Sequence, residues 1–325
     1  MSRRQLKNSR ILIVGGAGFI GSHLADRLLD DGAKEIIIVD NFFTGSERNL
    51  CSALKSGKVK LYREDAEFFS SMNYIFQNHD IDITFNCATK ALNYSFLNPT
   101  NSFSTNVNVA LNLLEMQRKG FFETLCHFST SEVYGSAIYE PMDESHPKLP
   151  TTSYAAGKAA ADLAVESYVR MFDVDAFIVR PFNNYGPRQN HKGPLSGVIP
   201  LTVNRVLNGE NPEIHGDGLQ TRDFIFVSDT VEAVVELYYK LDKGEAVNIS
   251  ANNQISILDV VKLISSKLNH RGEIEKKPRR AADVADHIGD NTKLHKLINF
   301  RTTSFSKGLT DTLQFYLQEI GDNRS

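Results

Sequence analysis

A tyrosine and a lysine four residues apart, Tyr154 and Lys158, are the strongest candidates for chemistry in this sequence. They open a predicted helix over residues 154–172, so both side chains project from one face of it. A nearby ammonium group stabilises a phenolate, which predicts that the pKa of the tyrosine is lowered towards working pH and that its oxygen acts as a base. Because many helices carry this spacing by accident, the pair needs support from the rest of the chain.

A glycine-rich turn near the amino terminus gives that support. Gly15, Gly18 and Gly21 follow an apolar run at 11–14 and open a helical pattern that stops at Gly32. The first glycine permits a tight turn, the second lets a pyrophosphate approach the backbone, and the third allows helix and strand to pack closely. The pyrophosphate would meet free N–H groups and the positive end of the helix. We predict a dinucleotide site, the alternative being a glycine-rich turn without a ligand.

Asp40 ends the second apolar run, at 35–40. A carboxylate at this place can accept hydrogen bonds from an adenosine ribose and repels a 2′-phosphate. No arginine follows it directly, so the sequence favours NAD over NADP. Asp65, after the third predicted strand, is a candidate adenine contact or else a solvated loop acid.

A further group of polar residues lies at the end of the predicted strand at 125–130. Ser129, Thr130 and Ser131 offer hydroxyl groups that could bind a sugar oxygen, and Glu132 comes directly after them. A carboxylate is costly to desolvate at the end of a buried strand. Glu132 therefore either points into solvent or takes part in chemistry.

The elements that must position these residues alternate between strand and helix. Strands are predicted at 11–14, 35–40, 58–62, 82–88, 125–130 and 175–180, with long helices at 106–119 and 154–172. Apolar strands separated by helices indicate a parallel sheet covered on both faces, which is a doubly wound, Rossmann-like α/β fold. After residue 182 the elements become short and irregular. We predict a cofactor domain at 1–182, to which some later segments return, and a smaller substrate domain at 183–325.

Composition narrows the classes of function. The 325 residues are 41% hydrophobic and 23% charged with a net charge of −3, which gives no support for binding to nucleic acid or membranes. Three scattered cysteines are too few for a disulfide framework or a zinc site, and no metal is expected. The basic cluster at 276–280 is read as a solvated loop, or as arginines that face a phosphate ligand, before a nucleic-acid patch. We expect a soluble, cytoplasmic protein.

Several segments together resemble a single enzyme family. They are "GGAGFIG" (15–21), "STSEVYG" (129–135), "YAAGK" (154–158), "RPFNNYGPR" (180–188), "VIP" (198–200), "GDGLQTRDFIFVSD" (216–229) and "RRAADV" (279–284). The chain resembles the extended short-chain dehydrogenase/reductase family, the NAD-dependent nucleotide-sugar epimerases and dehydratases. Its motifs are most similar to those of the nucleotide-sugar 4,6-dehydratases.

The resemblance implies roles for particular residues. Tyr154 would take the proton of the sugar 4-hydroxyl, with Lys158 as its partner and Thr130 bonded to the same oxygen. The implied cofactor contacts are Gly15, Gly18, Phe19, Ile20, Gly21, Asp40, Asn41, Asp65, Ala66, Cys87, Ala88, Lys90, Asn106, Ser129, Tyr154, Lys158 and Pro181. The implied substrate contacts are Ser131, Asn183, Arg188, Val198, Arg222 and Arg280, since arginines bind diphosphate in bidentate fashion. The chain departs from the family in carrying "NCATK" (86–90) instead of H-x-A-A, and Lys90 is either a ligand contact or a surface lysine.

In this family the cofactor oxidises the sugar at C4, and the resulting ketone has three fates. An epimerase returns the hydride to the other face of the sugar, whereas a decarboxylase loses CO2 from the β-keto acid. A 4,6-dehydratase removes the acidified C5 proton, expels the 6-hydroxyl and returns the hydride to C6. Only this last fate needs a second base, and Glu132 fits that need.

The segment "TSE" (130–132) resembles that of GDP-mannose 4,6-dehydratases and of bacterial N-acetylglucosamine-type 4,6-dehydratases. UDP-glucuronate decarboxylases share it, whereas simple 4-epimerases usually have a small or hydroxyl residue in place of Glu132. The dTDP-glucose 4,6-dehydratases carry an aspartate where this chain has Ser131, so the acid for the departing hydroxyl stays open. We favour a 4,6-dehydratase acting on a UDP- or GDP-linked, N-acetylglucosamine-like hexose. The alternatives are a UDP-glucuronate decarboxylase, a 4-epimerase and a non-enzymatic NAD sensor.

The family usually pairs subunits through two long helices, here roughly 100–119 and 153–172. A homodimer is therefore implied, with a nucleotide-sugar substrate as the other partner. Precursors of surface polysaccharides or glycans are the natural pathway.

Overall fold

A computed structural model of the chain describes residues 3–279, 284 and 286–322. Its strands are β1 Arg10–Val14, β2 Glu35–Val39, β3 Val59–Tyr62, β4 Ile83–Asn86, β5 Thr124–Phe128, β6 Asp175–Pro181, β7 Asn183–Tyr185, β8 Glu213–His215, β9 Thr221–Arg222, β10 Phe224–Phe226, β11 Ala246–Ile249, β12 Ile255–Ser256 and β13 Glu275–Lys277. Its helices are α1 Phe19–Asp30, α2 Cys51–Lys55, α3 Phe69–Asn78, α4 Leu92–Ser95, α5 Pro99–Arg118, α6 Ser153–Phe172, α7 Val198–Leu207, α8 Val227–Leu237, α9 Ile257–Lys267, α10 Thr292–Leu297 and α11 Phe305–Asp322.

Seven parallel strands form the central sheet, in the order β11-β6-β5-β4-β1-β2-β3. Both faces of this sheet are buried, because successive residues of β1 enter different hydrophobic clusters. Ile11 and Ile13 pack into one cluster, and Leu12 and Val14 into the other. This arrangement explains why the strands read as continuous apolar runs. The prediction of a doubly wound, Rossmann-like sheet is confirmed.

The chain order reverses between β1 and β4. After β1 the chain continues through β2 and β3 on one side, whereas β4, β5 and β6 extend the sheet on the other. The loops that follow β1 and β4 therefore diverge, and they leave a crevice at the carboxyl ends of these strands. The glycine turn and the segment "NCATK" (86–90) lie at this crevice.

The second half of the chain contains a separate set of small elements. Three two-stranded sheets pair β7 with β10, β8 with β13, and β9 with β12. A third hydrophobic cluster includes buried side chains of α7, α9 and α11. One later strand, β11, instead pairs with β6 in the central sheet. The boundary at residue 182 stays a prediction.

Helix α5 begins seven residues before the predicted start at Asn106. Asn98 caps it by accepting a hydrogen bond from the Asn101 N–H at 3.1 Å, and Pro99 occupies the first turn. This combination is a known helix start. The first turns were missed because their buried face is polar, with Ser102 0% and Asn106 2% exposed. An apolar period was therefore absent where the helix begins.

Helices α5 and α6 approach closely at Gly157. A Cβ atom at this position would lie 2.8 Å from the backbone oxygen of Phe103 and 3.0 Å from its Cα. The close approach brings α6, and with it Tyr154 and Lys158, against the rest of the cofactor domain.

Gly157→Ala is therefore expected to destabilise the protein, although alanine favours a helix by about 1 kcal/mol over glycine. Overpacking between the two backbones costs about 1–3 kcal/mol. Urea unfolding followed by circular dichroism measures the difference. Arg170→Ala, a change of an exposed side chain on the same helix, serves as the control and should alter stability by less than about 0.5 kcal/mol. A Gly157→Ala protein as stable as the wild type would show that the helices can separate at no cost.

Candidate active site

The glycine turn is shaped for close backbone approach. Gly15 has a φ of +77°, and a Cβ atom there would lie 2.7 Å from the backbone of Ala88. A Cβ atom on Gly21 would lie only 2.3 Å from the backbone oxygen of Gly15. Gly18 precedes the first residue of α1, and no side chain caps the helix at that position. The first turn of α1 is thus suited to an anionic ligand.

A cleft runs along the carboxyl edge of the sheet, above β1, β2 and β4. Most of the cofactor contacts implied by the sequence line it: Gly15, Gly18, Phe19, Ile20, Gly21, Asp40, Asn41, Asp65, Ala66, Cys87, Ala88 and Lys90. Asn106 contributes from behind the lining, because its amide donates to the backbone oxygen of Lys90 at 3.2 Å. Ser129 and Pro181 are buried at the ends of β5 and β6. The cofactor roles of all these residues stay predictions.

Asp40 organises the turn as well as lining the cleft. Its carboxylate accepts hydrogen bonds from the backbone N–H groups of Ala17 at 2.9 Å and Phe42 at 2.7 Å. Burial raises the pKa of this carboxyl group, and the backbone hydrogen bonds oppose that rise. Because a carboxylate has about four acceptor positions, Asp40 can still accept from a ribose hydroxyl.

The part of the cleft near the ends of β2 and β3 carries a polar pair and a buried lysine. Asn41 donates its amide to Asp65 at 2.7 Å. Lys90 is only 8% exposed, and its Nζ lies 3.3 Å from the centre of the Phe43 ring. Burial lowers the pKa of Lys90, while the carboxylates of Asp65, Glu67 and Asp40 raise it. The reading of Lys90 as a surface lysine is therefore wrong.

Tyr154 and Lys158 both reach the carboxyl edge of the sheet from the first turns of α6. Lys158 is 2% exposed, and its ammonium donates to the backbone oxygens of Phe128 at 2.8 Å and Ala88 at 3.4 Å. Burial lowers its pKa to about 8, although the carboxylate of Asp162 raises it. The ammonium form is thus still favoured at neutral pH.

The expected lowering of the pKa of Tyr154 is not what the structure shows. Burial raises this pKa to about 12, and the nearby carboxylate of Glu132 raises it further. Hydrogen bonds with the side chains of Thr130 and Thr89 lower it only in part. The ammonium of Lys158 donates to backbone carbonyl groups, and burial has the larger effect on the pKa of the phenol.

Glu132 lies in a short 3-10 turn, Ser131–Tyr134, directly after β5. The Thr130 hydroxyl caps this turn by accepting a hydrogen bond from the backbone N–H of Glu132 at 3.2 Å. Glu132 is half-buried and acts electrostatically on Tyr154 and on His287. The carboxylate therefore belongs to the same site as the phenol and is not a remote solvated acid.

His287 is a site residue that sequence reasoning missed. Its ring is fully buried and packs at 5.3 Å against the ring of Phe182. Burial lowers its pKa, the charge of Arg222 lowers it further, and Glu132 opposes this. No spacing in "DHIGD" (286–290) indicated such a role. A lone histidine in a loop gives no signal until the fold brings it beside Glu132.

The implied substrate residues lie at several places around the second half. Asn183 is in β7, and its amide nitrogen is buried with no hydrogen-bond partner among the described residues. Arg222 is in β9, within electrostatic reach of His287, and Val198 begins α7. Arg188 forms a 2.7 Å ion pair with Asp26 of α1, which places it by the glycine turn. Ser131 is buried beside Glu132, and Arg280 lies outside the described residues.

Part of the basic cluster is paired with acids. Lys277 of β13 forms ion pairs with Glu213 at 3.4 Å and Glu275 at 3.1 Å. This pairing favours a solvated structural role for the lysine over a nucleic-acid patch. Among the helices of the described ranges, none is long and apolar enough to cross a membrane.

The cleft fits a dinucleotide on the evidence of its own residues. A side chain at Gly15 or Gly21 would collide with the backbone, and no side chain caps the first turn of α1 at Gly18. Asp40 supplies a carboxylate at the end of β2, where a ribose would lie. The tyrosine–lysine pair stands beyond the turn, at the ends of β4 and β5. A glycine turn, a carboxylate at the end of β2 and a tyrosine–lysine pair in this order are typical of a short-chain dehydrogenase type of site.

Comparisons with known proteins agree with this class. The family model described as GDP-mannose 4,6 dehydratase matches residues 12–312. A putative UDP-glucose 4-epimerase of Methanocaldococcus jannaschii is 34% identical over 83% of this chain and 86% of its own. UDP-glucuronic acid decarboxylase 2 of Arabidopsis thaliana is 31% identical over 98% of this chain and 71% of its own.

Solved structures show the same relationship. A Thermotoga maritima UDP-glucose 4-epimerase with UDP-glucose superposes with a TM-score of 0.90 at 30% identity, covering 96% of this chain and 99% of the other. A Streptomyces venezuelae dTDP-glucose 4,6-dehydratase with bound NAD gives a TM-score of 0.90 at 27% identity, with 96% and 98% coverage. The chain belongs to the extended short-chain dehydrogenase/reductase family of nucleotide-sugar epimerases, dehydratases and decarboxylases.

Proposed function

We propose that this protein is an NAD-dependent nucleotide-sugar 4,6-dehydratase that acts through a 4-keto sugar. The observation that carries the proposal is the half-buried carboxylate of Glu132, which acts on the phenol of Tyr154. An epimerase needs only the phenol and its lysine, whereas elimination across C5 and C6 needs a second base near the sugar. A UDP- or GDP-linked, N-acetylglucosamine-like hexose is the proposed substrate.

NAD, when bound in the cleft, accepts a hydride from the sugar and later returns it. Tyr154 takes the proton of the 4-hydroxyl as the C4–H bond breaks. Thr130 hydrogen-bonds to Tyr154, so its hydroxyl is placed to share the same sugar oxygen. The ammonium of Lys158, anchored on the backbone oxygens of Phe128 and Ala88, keeps a positive charge close to the reacting groups. The glycine turn and Asp40 hold the dinucleotide by its pyrophosphate and ribose.

Glu132 then acts on the ketone. The C4 carbonyl acidifies the C5 proton, and the Glu132 carboxylate removes it. The 6-hydroxyl takes a proton from solvent and leaves as water, so that a double bond forms between C5 and C6. C6 would receive the hydride from the bound cofactor, and Glu132, after exchange with solvent, would supply the proton to C5. The proton that Tyr154 took from the 4-hydroxyl returns to solvent, so the net change is the loss of one water. Asn183 of β7 and Arg222 of β9 are proposed to hold the nucleotide diphosphate. The buried amide nitrogen of Asn183 has no hydrogen-bond partner among the described residues, and Arg222 acts on His287, as Glu132 does.

A UDP-glucuronate decarboxylase is the second candidate. Five decarboxylases of Arabidopsis thaliana and one of Danio rerio match at 30–32% identity over 90% or more of this chain. These matches favour a decarboxylase, a class that the segment "TSE" (130–132) of this chain also resembles. In a decarboxylase Glu132 would not need to remove a proton, because CO2 departs from the β-keto acid.

Product mass separates the two candidates and the 4-epimerase. The protein would be incubated with NAD and, in turn, with UDP- and GDP-linked hexoses, N-acetylhexosamines and glucuronate. Loss of water from a hexose supports the proposal. Loss of CO2 from glucuronate replaces it with the decarboxylase, and unchanged mass with altered chromatographic mobility replaces it with an epimerase. Bound NAD without turnover of any of these sugars would favour a sensor.

We also propose that the protein is a homodimer. The outer faces of α5 and α6 expose large apolar side chains, with Phe103 41%, Leu163 57% and Met171 68% exposed. Large apolar side chains exposed on neighbouring helices are expected where a partner covers them. Two copies of the pair α5 and α6 would bury it in a four-helix contact. Sedimentation equilibrium measures the mass.

A further inference from the structure

Helix α6 carries a row of four polar side chains that are spaced one turn apart. Tyr154, Lys158, Asp162 and Glu166 follow one another at intervals of four residues, so they share one face of the helix. The proposed chemistry uses the first two. Asp162 lies one turn beyond Lys158 and is 0% exposed. Burying a carboxylate costs free energy unless other groups compensate its charge, so the neighbours of Asp162 matter.

One oxygen of Asp162 is held by a buried arginine. Arg180 donates from Nε at 3.1 Å and from Nη2 at 3.0 Å, both to Oδ2. The same arginine donates from Nη1 to the Tyr134 hydroxyl at 3.1 Å. The ammonium of Lys148 lies 3.9 Å from Oδ2 and is itself paired with Glu166 at 2.7 Å. The contacts of Oδ2 hold the carboxylate in place.

The other oxygen, Oδ1, is buried and has no hydrogen-bond partner among the described residues. His127 Nε2 lies 4.0 Å from it and is also without a partner in that part of the chain. The Nδ1 atom of the same ring lies 3.1 Å from the Asn86 amide nitrogen, which can only donate. Nδ1 must therefore accept, and Nε2 carries the hydrogen. Burial holds the pKa of His127 well below its usual range, so the ring is neutral and does not compensate Asp162.

The cations of this cluster differ in how they are paired. Arg180 is paired with Asp162 at 3.0 Å, and Lys148 is paired with Glu166 at 2.7 Å. The third cation takes part in none of the ion pairs of the described residues, so its charge depends on a more distant carboxylate, and it is the most easily deprotonated of the three. A carboxylate stabilises an ammonium without direct contact, and more strongly where both groups are buried.

Lys158 is that most easily deprotonated cation. Burial lowers its pKa to about 8, and Asp162 is the strongest group that raises it, followed by Cys87. The thiol of Cys87 stays protonated, because burial raises its own pKa far above neutral. The other groups that face Lys158 are the backbone oxygens of Phe128 and Ala88 and the neutral ring of His127. Asp162 thus supplies the only full negative charge among the groups shown to act on Lys158 in the described part of the chain.

We propose that Asp162 is a positioning residue for the active site, whose buried carboxylate keeps Lys158 in its ammonium form at neutral pH. The role of Tyr154 and Lys158 in the reaction rests on the proposed function, whereas the link between the two charges does not. Arg180 fixes the carboxylate, and the carboxylate in turn retains the proton on the lysine.

The direction of the pH effect follows from the sign of the charge. A carboxylate stabilises the ammonium, so Asp162→Asn lowers the pKa of Lys158 from about 8 towards or below neutral. Activity that needs the ammonium is lost as pH rises through that pKa. The alkaline limb of the pH–rate profile therefore moves to lower pH in the variant.

The test follows Lys158 itself, with no sugar present. Protein labelled with 13C at the lysine Cε positions is titrated by NMR, and the Lys158 signal is identified by its absence in Lys158→Met. We expect one lysine to titrate well below the others in the wild type. Asp162→Asn should lower the proton affinity of that lysine by about tenfold or more, which is about 1.4 kcal/mol. An unchanged titration of Lys158 in folded Asp162→Asn would overturn the proposal.

Two further variants keep the test decisive. Asp162→Asn leaves Arg180 buried without its ion pair, which can prevent folding. The double variant Asp162→Asn/Arg180→Met removes both charges, and it should lower the proton affinity of Lys158 in the same direction but by less than Asp162→Asn, because a repelling cation is removed as well. Glu166→Gln removes a carboxylate one turn further along and should leave the titration of Lys158 unchanged. If Lys158 responds as expected but no nucleotide sugar is turned over, only the proposed function fails.

Discussion

Tyr154→Phe removes oxidation of the sugar at C4, and no reduced cofactor appears when substrate is added. The variant keeps the ring that packs at the start of α6 but loses the oxygen that takes the 4-hydroxyl proton. General base catalysis contributes about 10²–10⁴-fold to a rate, and we expect a loss at the upper end of this range. The near-ultraviolet absorbance of the reduced cofactor, followed in a single turnover, measures it.

The upper end is expected because the side chains that hydrogen-bond to the phenol among the described residues are poor replacements for it. Thr130 and Thr89 hydrogen-bond to Tyr154, but a hydroxyl group is a weak base. Tyr168→Phe, which removes a phenolic oxygen bonded to Glu115 at 2.6 Å on the outer side of the same helix, is the matched control. It should oxidise substrate at the wild-type rate. C4 oxidation that survives in Tyr154→Phe would remove Tyr154 from the reaction and with it the proposed mechanism.

Glu132→Gln separates the two halves of the reaction. The amide keeps the size of the side chain but cannot remove the C5 proton, so formation of the dehydrated product falls by about 10²–10⁴-fold. C4 oxidation continues, because the carboxylate of Glu132 raises the pKa of Tyr154 and its removal favours the phenolate. The 4-keto sugar should therefore accumulate together with reduced cofactor.

Exchange of the sugar C5 proton with heavy water tests the effect of Glu132→Gln more directly. Wild-type protein should place deuterium at C5 of the sugar, because the proton there is removed and replaced. Glu132→Gln should place no deuterium at C5. Glu140→Gln, the same change at an exposed site in the loop after the 3-10 turn, is the control and should leave both product and exchange intact. Full product formation by Glu132→Gln would withdraw the dehydratase assignment and leave the decarboxylase or the epimerase.

The sheet and the cofactor turn could be predicted from the sequence because their signals are local. Each strand is an apolar run bounded by polar residues, and the turn of Gly15, Gly18 and Gly21 directly follows the first run. Their geometry depends on backbone conformation and on neighbours a few residues away. The start of α5 was less evident, since its buried face carries serine and asparagine instead of an apolar stripe. The cap formed by Asn98 and Pro99 was the available signal there.

Tyr154 and Lys158 were recognisable for a similar reason. A separation of four residues on a helix fixes their relation without any knowledge of the rest of the molecule. The pKa values of Tyr154 and Lys158 could not be predicted from spacing. The sequence predicted that a nearby ammonium would lower the pKa of the tyrosine, and it gave no information on burial. In the fold the ammonium of Lys158 donates to the backbone oxygens of Phe128 and Ala88. Burial then became the larger influence on the phenol.

The amino-acid sequence alone determined the alternation of strands and helices in the first half of the chain, the glycine turn and the candidate tyrosine–lysine pair, since each depends on short-range spacing. Only the tertiary structure brought His287 beside Glu132, Lys90 over Phe43, and the carboxylate of Asp162 against Arg180. These pairs are separated by 155, 47 and 18 residues in the chain. Charge and burial act through distance in space, so no pattern of neighbouring residues could reveal which ionisable groups share a low-dielectric site.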